Sequence, residues 1–183
     1  MSKLISSINI TLDGFCDHTA VIADEQLHQH YNKLLKSIDI IIFGRVTYQL
    51  MESGWAPIVK NPTGNQSMDE FAVLIEDIPK IVFSRTLESV QWRNTTLVKD
   101  NLKDEVLKLK QEPNKNILVG SPSLIQQLMS MNLIDEYQFC INPIIFGGGL
   151  PLFKHIKEKI NLQLIKTKTF DSGVVAVSYE LKK

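Results

Sequence analysis

Residues 40–51 constrain this chain more than any other stretch. They read Ile-Ile-Ile-Phe-Gly-Arg-Val-Thr-Tyr-Gln-Leu-Met. Four apolar residues without a polar interruption, three of them β-branched, form the pattern of a strand buried on both faces. Gly44 ends the run, and Arg45 and Thr47 open what reads as a short helix. A buried strand that passes through a glycine into a helix places backbone N–H groups at the strand's carboxyl end. Those groups, the helix dipole, a guanidinium and a hydroxyl together suit a phosphate.

The composition sets the setting for such a site. The chain has 183 residues, which suits one domain spanning 1–183, and 44% of them are apolar, enough for a full core. Basic and acidic residues balance, so neither nucleic acid nor an anionic membrane is an expected partner. Cys16 and Cys140 stand far apart and in no CxxC pattern. That fits a reducing compartment and gives neither a disulfide framework nor a zinc site, so no metal is expected. Only Lys3 precedes the first alternating stretch, which is not a signal-peptide pattern. No apolar run approaches the roughly 20 residues of a membrane span. A cytoplasmic location is the expectation.

Along the chain, residues 4–10 alternate as a strand and end in the turn Asp13-Gly14. No GxGxxG follows, so the common dinucleotide fingerprint is missing. Asp24 reads as the N-cap of a helix to about Ser37, with Leu27, Tyr31, Leu34 and Leu35 on one stripe. Residues 53–67 hold Gly54, Trp55, Pro57, Asn61, Pro62, Gly64 and Asn65 and read as a long polar loop; residues 68–75 read as a short helix. Residues 80–83 form a second buried strand that runs into Ser84-Arg85-Thr86, and residues 116–119 a third that ends in Gly120. Ser121 then caps a helix whose first position is Pro122. Residues 162–170 and 174–181 read as a closing hairpin. The order of strands and helices implies a mostly parallel sheet with helices on both faces and an antiparallel C-terminal hairpin.

Ligands of such sheets bind at the carboxyl ends of the strands. Asp13-Gly14, Gly44 to Thr47, Ser84 to Thr86 and Gly120 to Ser123 all stand there. Each piece alone is an ordinary turn. Jointly they match a pyrophosphate plus one further phosphate, and two arginines beyond a pyrophosphate point to the adenosine 2′-phosphate of NADP.

The same residues carry a resemblance. Residues 43–48, Phe-Gly-Arg-Val-Thr-Tyr, look like the Gly-Arg-x-Thr-Tyr/Trp motif of dihydrofolate reductases, and residues 82–87 look like that superfamily's second cofactor strand. Residues 12–14, 133–136 and 143–153 resemble the reductase domain of the bifunctional riboflavin-biosynthesis deaminase/reductase. The resemblance covers nearly the whole chain in order. It implies a dihydrofolate reductase-like three-layer α/β fold and an NADPH-dependent oxidoreductase. Hydride would pass to a small heterocyclic or sugar-derived substrate, such as a ribosylamino-pyrimidine. Gly44, Arg45, Val46 and Thr47 would hold the cofactor phosphates, and Ser84, Arg85 and Thr86 the 2′-phosphate. Gly120, Ser121, Pro122 and Ser123 would close on the pyrophosphate and nicotinamide, with Ser121 standing where the family has a second Gly. Asn9, Asp13 and Gly14 would meet the substrate, with Asp13 the first catalytic choice. Asp24 is the nearest match to the proton-relaying carboxylate of dihydrofolate reductases. The related domains pair, so a homodimer is implied.

Other readings stay open at this point. They are a dihydrofolate or pterin reductase, a non-catalytic nucleotide-binding module and a flavin-binding α/β protein. Trp55 either stacks on a flat substrate or anchors its loop. Gly147 to Gly149 reads as a tight turn in preference to an anion nest. Tyr48 reads as packing, Cys140 as core, and His28 and His30 as surface. His18 and His155 are isolated, and residues 154–159 read as a solvated face.

Overall fold

The computed structural model describes every residue except Met1, His155, Lys157 and Lys183. Two sequence readings, isolated His155 and part of the solvated face at Lys157, therefore lie outside the described residues. The elements in chain order are β1 (Lys3–Thr11), a 3-10 turn (His18–Ala20), α1 (Glu25–Leu35), β2 (Ile40–Gly44), α2 (Arg45–Lys60) and α3 (Gln66–Asp77). Then come β3 (Lys80–Phe83), β4 (Thr95–Val98), α4 (Leu102–Gln111), β5 (Asn116–Val119) and α5 (Pro122–Ser130). The last three are β6 (Glu136–Asn142), β7 (Leu162–Thr169) and β8 (Val175–Leu181). The eight strands hydrogen-bond in the order β4-β3-β2-β5-β1-β6-β8-β7, mostly parallel, with the antiparallel hairpin β7–β8 at one end. The expected α/β class is the observed one.

Two compact units divide the chain, Ser2 with Asp24–Leu118 and Lys3–Ala23 with Val119–Lys183. In the first, β2, β3 and β4 are parallel, with Gly44 opposite Phe83 and Phe83 opposite Val98. Ile41, Ile42, Phe43 and Val82 are buried, as the uninterrupted apolar runs require. Each such side chain contributes about 1.5–3 kcal/mol by leaving water. The hydroxyl of the buried Tyr48 donates to Glu52 and accepts the N–H groups of Gln91 and Trp92, so it locks the chain before β4. Tyr48 is a packing residue, as expected.

The long polar loop is not there. α2 continues to Lys60, through Gly54 and Pro57, and only residues 61–65 separate it from α3. The composition misled because propensity is a weak prior that packing overrides. Tyr48, Met51, Trp55 and Ile58 recur at helical spacing on the covered side of α2, and Trp55 lies 4.4 Å from Phe71 of α3. Pro57 sits inside the helix, in its last turn, so the helix runs only three residues beyond it. α3 begins at Gln66, earlier than the expected short helix, because Asn65 caps it by accepting the Met68 N–H.

In the second unit β1 and β6 are parallel, Thr11 facing Asn142, and β8 pairs antiparallel with β6. Ser121 stands at the N-cap position of α5, without a side-chain cap hydrogen bond, and Pro122 opens the helix, as the sequence indicated; Leu124, Ile125, Leu128 and Met129 are its buried stripe.

Candidate functional site

In the first unit, the register of β2, β3 and β4 brings their carboxyl ends to one edge. Arg45, Ser84-Arg85-Thr86 and Lys99-Asp100 leave from adjacent positions there. The N-termini of α1 and α3 are capped by side chains: Asp24 Oδ1 accepts the Leu27 N–H at 2.7 Å, and Asn65 serves α3. At α2 the N-cap is Gly44, which has no side chain of its own to cap the helix, and the first turn holds no acid. A first turn without an acidic side chain leaves the positive end of the helix dipole suited to an anion.

The side chains on this edge divide into committed and available groups. Ser84 is committed: its buried hydroxyl accepts the N–H groups of Thr86 and Leu87, forming the turn that follows β3. Arg85 is exposed, and its Nε donates to Asp100 at 2.9 Å. Arg45 reaches Gln49 only at 3.4 Å and is likewise exposed. Thr86 is exposed, and Thr47 is half-buried in the first turn of α2. Two exposed guanidiniums beside a helix start without an acid form a donor set that fits a phosphorylated ligand.

Asp24 and Trp55 sit elsewhere in this unit. Asp24 acts as an N-cap. Trp55 is on α2, packed on Phe71 and edge-on to His28 of α1 at 5.9 Å. His28 is therefore half-buried in an aromatic cluster and not the plain surface residue expected; its Nδ1 lies 2.9 Å from the Asp24 carbonyl.

In the second unit, Asp13 is the hub. Its carboxylate accepts the Thr11 hydroxyl at 2.6 Å, the Phe146 N–H at 3.1 Å and the Gly147 N–H at 2.8 Å. Gly147 has a φ of +73°, so the glycine run makes an N–H cradle, and the chain's own Asp13 fills it. The Thr11 and Gly147 bonds, ahead of that from Phe146, hold the Asp13 carboxyl down at about 2. The β1 tip is further laced to the same loop through Leu12 N–H to Ile144, Cys16 N–H to Leu150 and Leu152 N–H to Gly14. Burial pushes the Cys16 thiol up to about 12, which disfavours its thiolate.

Gly120 has a different reason to be glycine. A Cβ there would stand 3.3 Å from the Ser7 carbonyl oxygen, so the β5–α5 turn presses on β1. Ser121 has φ −90° and ψ 120°, a conformation open to any residue, so this position tolerates Ser. Asn9 lies on β1 with its Oδ1 shielded from solvent and without a hydrogen-bond partner among the described residues. A cavity of about 540 Å³ opens beside Asp13 and Gly14, walled by Ile10, Phe139, Phe153 and Val177. Asp13 is the one charged lining residue among those described.

Residues 2–176 match the RibD C-terminal domain family. The chain belongs to that family. It is 33% identical over 181 residues to the uncharacterized protein YyaP of Bacillus subtilis (strain 168), covering 97% of this chain and 94% of YyaP. In fold it is similar to a candidate riboflavin biosynthesis protein from Shewanella sp. PV-4, with TM-score 0.75, 21% identity and 99% of each chain covered. It also resembles dihydrofolate reductase from Enterococcus faecalis, with TM-score 0.64, 12% identity, and 99% of this chain and 97% of that one covered. Both likenesses show the fold, which is the reductase-like fold expected from the sequence. None of the described helices is long and apolar enough to cross a membrane.

Sequence reasoning missed the Asp13 brace and the aromatic setting of His28. The Gly147–Gly149 run reads in sequence as a tight turn in preference to a cradle, and nothing local points to an occupant more than a hundred residues away.

Proposed function

We propose that the protein is an NADPH-dependent reductase acting on a small, uncharged or cationic heterocyclic or carbonyl substrate, working in the cytoplasm as a homodimer. The observation that carries this reading is the edge where β2 and β3 end in register, with two exposed arginines beside the start of α2, whose first turn holds no acid. Gly44, Arg45, Val46 and Thr47 would hold the cofactor phosphates through N–H groups, a guanidinium and a hydroxyl. Arg85 and Thr86 would bind the 2′-phosphate; Ser84 shapes the turn that presents them. Gly120 to Ser123 would meet the pyrophosphate and nicotinamide side. The bound cofactor supplies the hydride.

Asp13 and Gly14 would border the substrate. A carboxyl held near 2 is ionised at neutral pH, so Asp13 orients groups and does not deliver the proton. The same charge disfavours an anionic substrate beside it, which counts against a phosphoribosyl compound at that position. Asp24 is engaged as an N-cap, which counts against dihydrofolate reduction by the familiar carboxylate route. Among exposed apolar residues, Leu12, Ile145, Phe146, Leu150 and Phe153 belong to the two laced segments around Asp13 and support pairing with a second copy.

The test is NADPH oxidation against a panel of pteridines, pyrimidines and dicarbonyls. Turnover of a neutral member is expected. NADPH binding without turnover of any member would favour a non-catalytic nucleotide-binding role.

A further inference from the structure

The three arginines of the chain are held differently. Arg93 spends a terminal nitrogen on Asp77 at 3.0 Å. Arg45 reaches Gln49 with a terminal nitrogen at 3.4 Å. Arg85 is held instead by its Nε, which donates to Asp100 Oδ1 at 2.9 Å, and neither of its terminal nitrogens makes a hydrogen bond among the described residues. The two side chains are 84% and 61% exposed, so a ligand reaches both. The backbone beneath the pair is tied together. The Ser84 N–H donates to the Val98 carbonyl at 3.0 Å, and the Lys99 ammonium donates to the Leu87 carbonyl. The segment that carries Asp100 is thus laced to both ends of the turn that carries Arg85. Asn101 follows with a φ of +63°, which turns the chain away into α4 directly after Asp100.

An exposed ion pair contributes little to folding. Its consequence lies in how it leaves the guanidinium. A guanidinium is a planar fork of N–H donors, and a bond at Nε leaves both terminal nitrogens for a phosphate, which they can grip in bidentate fashion. We infer that Asp100 is a positioning residue for the coenzyme's 2′-phosphate: it tethers Arg85 by Nε and so presents the terminal nitrogens to that phosphate. A free arginine side chain gives up rotamer freedom when a ligand captures it, and a tether made in the empty protein has already removed part of that cost. The opposing effect is repulsion between the Asp100 carboxylate and the phosphate. At an exposed edge that repulsion is screened by water and salt, whereas the tether acts on the contact itself. The inference rests on the 2′-phosphate reading given above, and it adds the residue that aims the arginine.

The test titrates the full chain calorimetrically with 2′,5′-ADP and 5′-AMP, which differ only by the 2′-phosphate. The unmodified protein is expected to prefer 2′,5′-ADP by about tenfold or more, as one charge-assisted contact allows. Asp100→Ala should narrow that preference by about threefold to fivefold, as lost preorganisation does, through 2′,5′-ADP alone. Asp100→Asn keeps an acceptor oxygen for Nε and should retain the preference. With Arg85→Ala already in place, Asp100→Ala should not weaken 2′,5′-ADP, because only repulsion is then left to remove. A preference that Asp100→Ala leaves unchanged or widens would overturn the inference. So would the same loss with and without Arg85, an Asp100→Asn variant as weak as Asp100→Ala, or an equal loss for 5′-AMP, which marks a structural role. No preference in the unmodified protein would overturn it together with the 2′-phosphate reading. An Asp100-dependent preference in a protein that turns over no reductase substrate would support the inference and strike the reductase reading alone, so the two failures are separable.

Discussion

Lys80 shows how one buried charge is made tolerable. It is 1% exposed, yet its Nζ donates to the carbonyls of Ile75, Glu76 and Ile78 at the end of α3 and lies 4.7 Å from the centre of the Trp92 ring. Burial pushes its ammonium down to about 8, against the pull of Glu76 and Asp77. Between about 8 and the ordinary 10.5, the unfolded chain holds a proton that the folded one has released. The burial penalty is thus full below that window and relieved as pH rises through it. Lys80→Met should lose about 1–3 kcal/mol at pH 7 by orphaning three carbonyls. Its stability, unlike the parent's, should not gain from this group between pH 8 and 10, as urea melts across that range would show.

Asp13 has the opposite sign. Its carboxyl is held below the ordinary value, so the brace is complete above about pH 4 and is lost only as pH falls toward about 2. Any acid limb in a rate profile between pH 5 and 8 should therefore survive Asp13→Asn. Hydrogen exchange at the Phe146 and Gly147 amides should accelerate in that variant. Unchanged protection there would contradict the brace.

At the scale of elements, the buried strands and their ends were legible because unbroken β-branched runs leave few alternatives. α5 was legible because Ser121 and Pro122 mark its start chemically. α2 was not, since Gly54 and Pro57 suggest a loop until Phe71 offers Trp55 a surface. The Asp13 brace was invisible for a related reason: it joins residues far apart in the chain, and no local pattern encodes it. Gly120 tests how tightly an element junction is built. Gly120→Ala would place a methyl 3.3 Å from backbone that cannot swing aside. It should cost about 1–3 kcal/mol, as overpacking does. Thermal melts that match the parent would show that the β5–α5 turn is looser than described.

For the whole molecule, family membership and fold agree, while activity rests on proposed residues. The proposed pairing would use the apolar residues left outside both cores. Ile145 is 77% exposed, more than any other large apolar side chain among those described. Ile145→Lys together with Phe146→Asp should shift the protein from dimer to monomer in light scattering, with little change in melting temperature at high dilution. A parent that is monomeric at every concentration would remove the dimer from the account.

The central claim is that the β2 and β3 ends grip a coenzyme bearing a 2′-phosphate. The most direct measurement compares NADPH and NADH dissociation constants by calorimetric titration, on the parent and on Arg85→Ala. A charge-assisted contact of about 1.5 kcal/mol corresponds to roughly tenfold. The account predicts NADPH tighter by at least that factor in the parent and most of the gap gone in the variant. Equal affinities in the parent would contradict it.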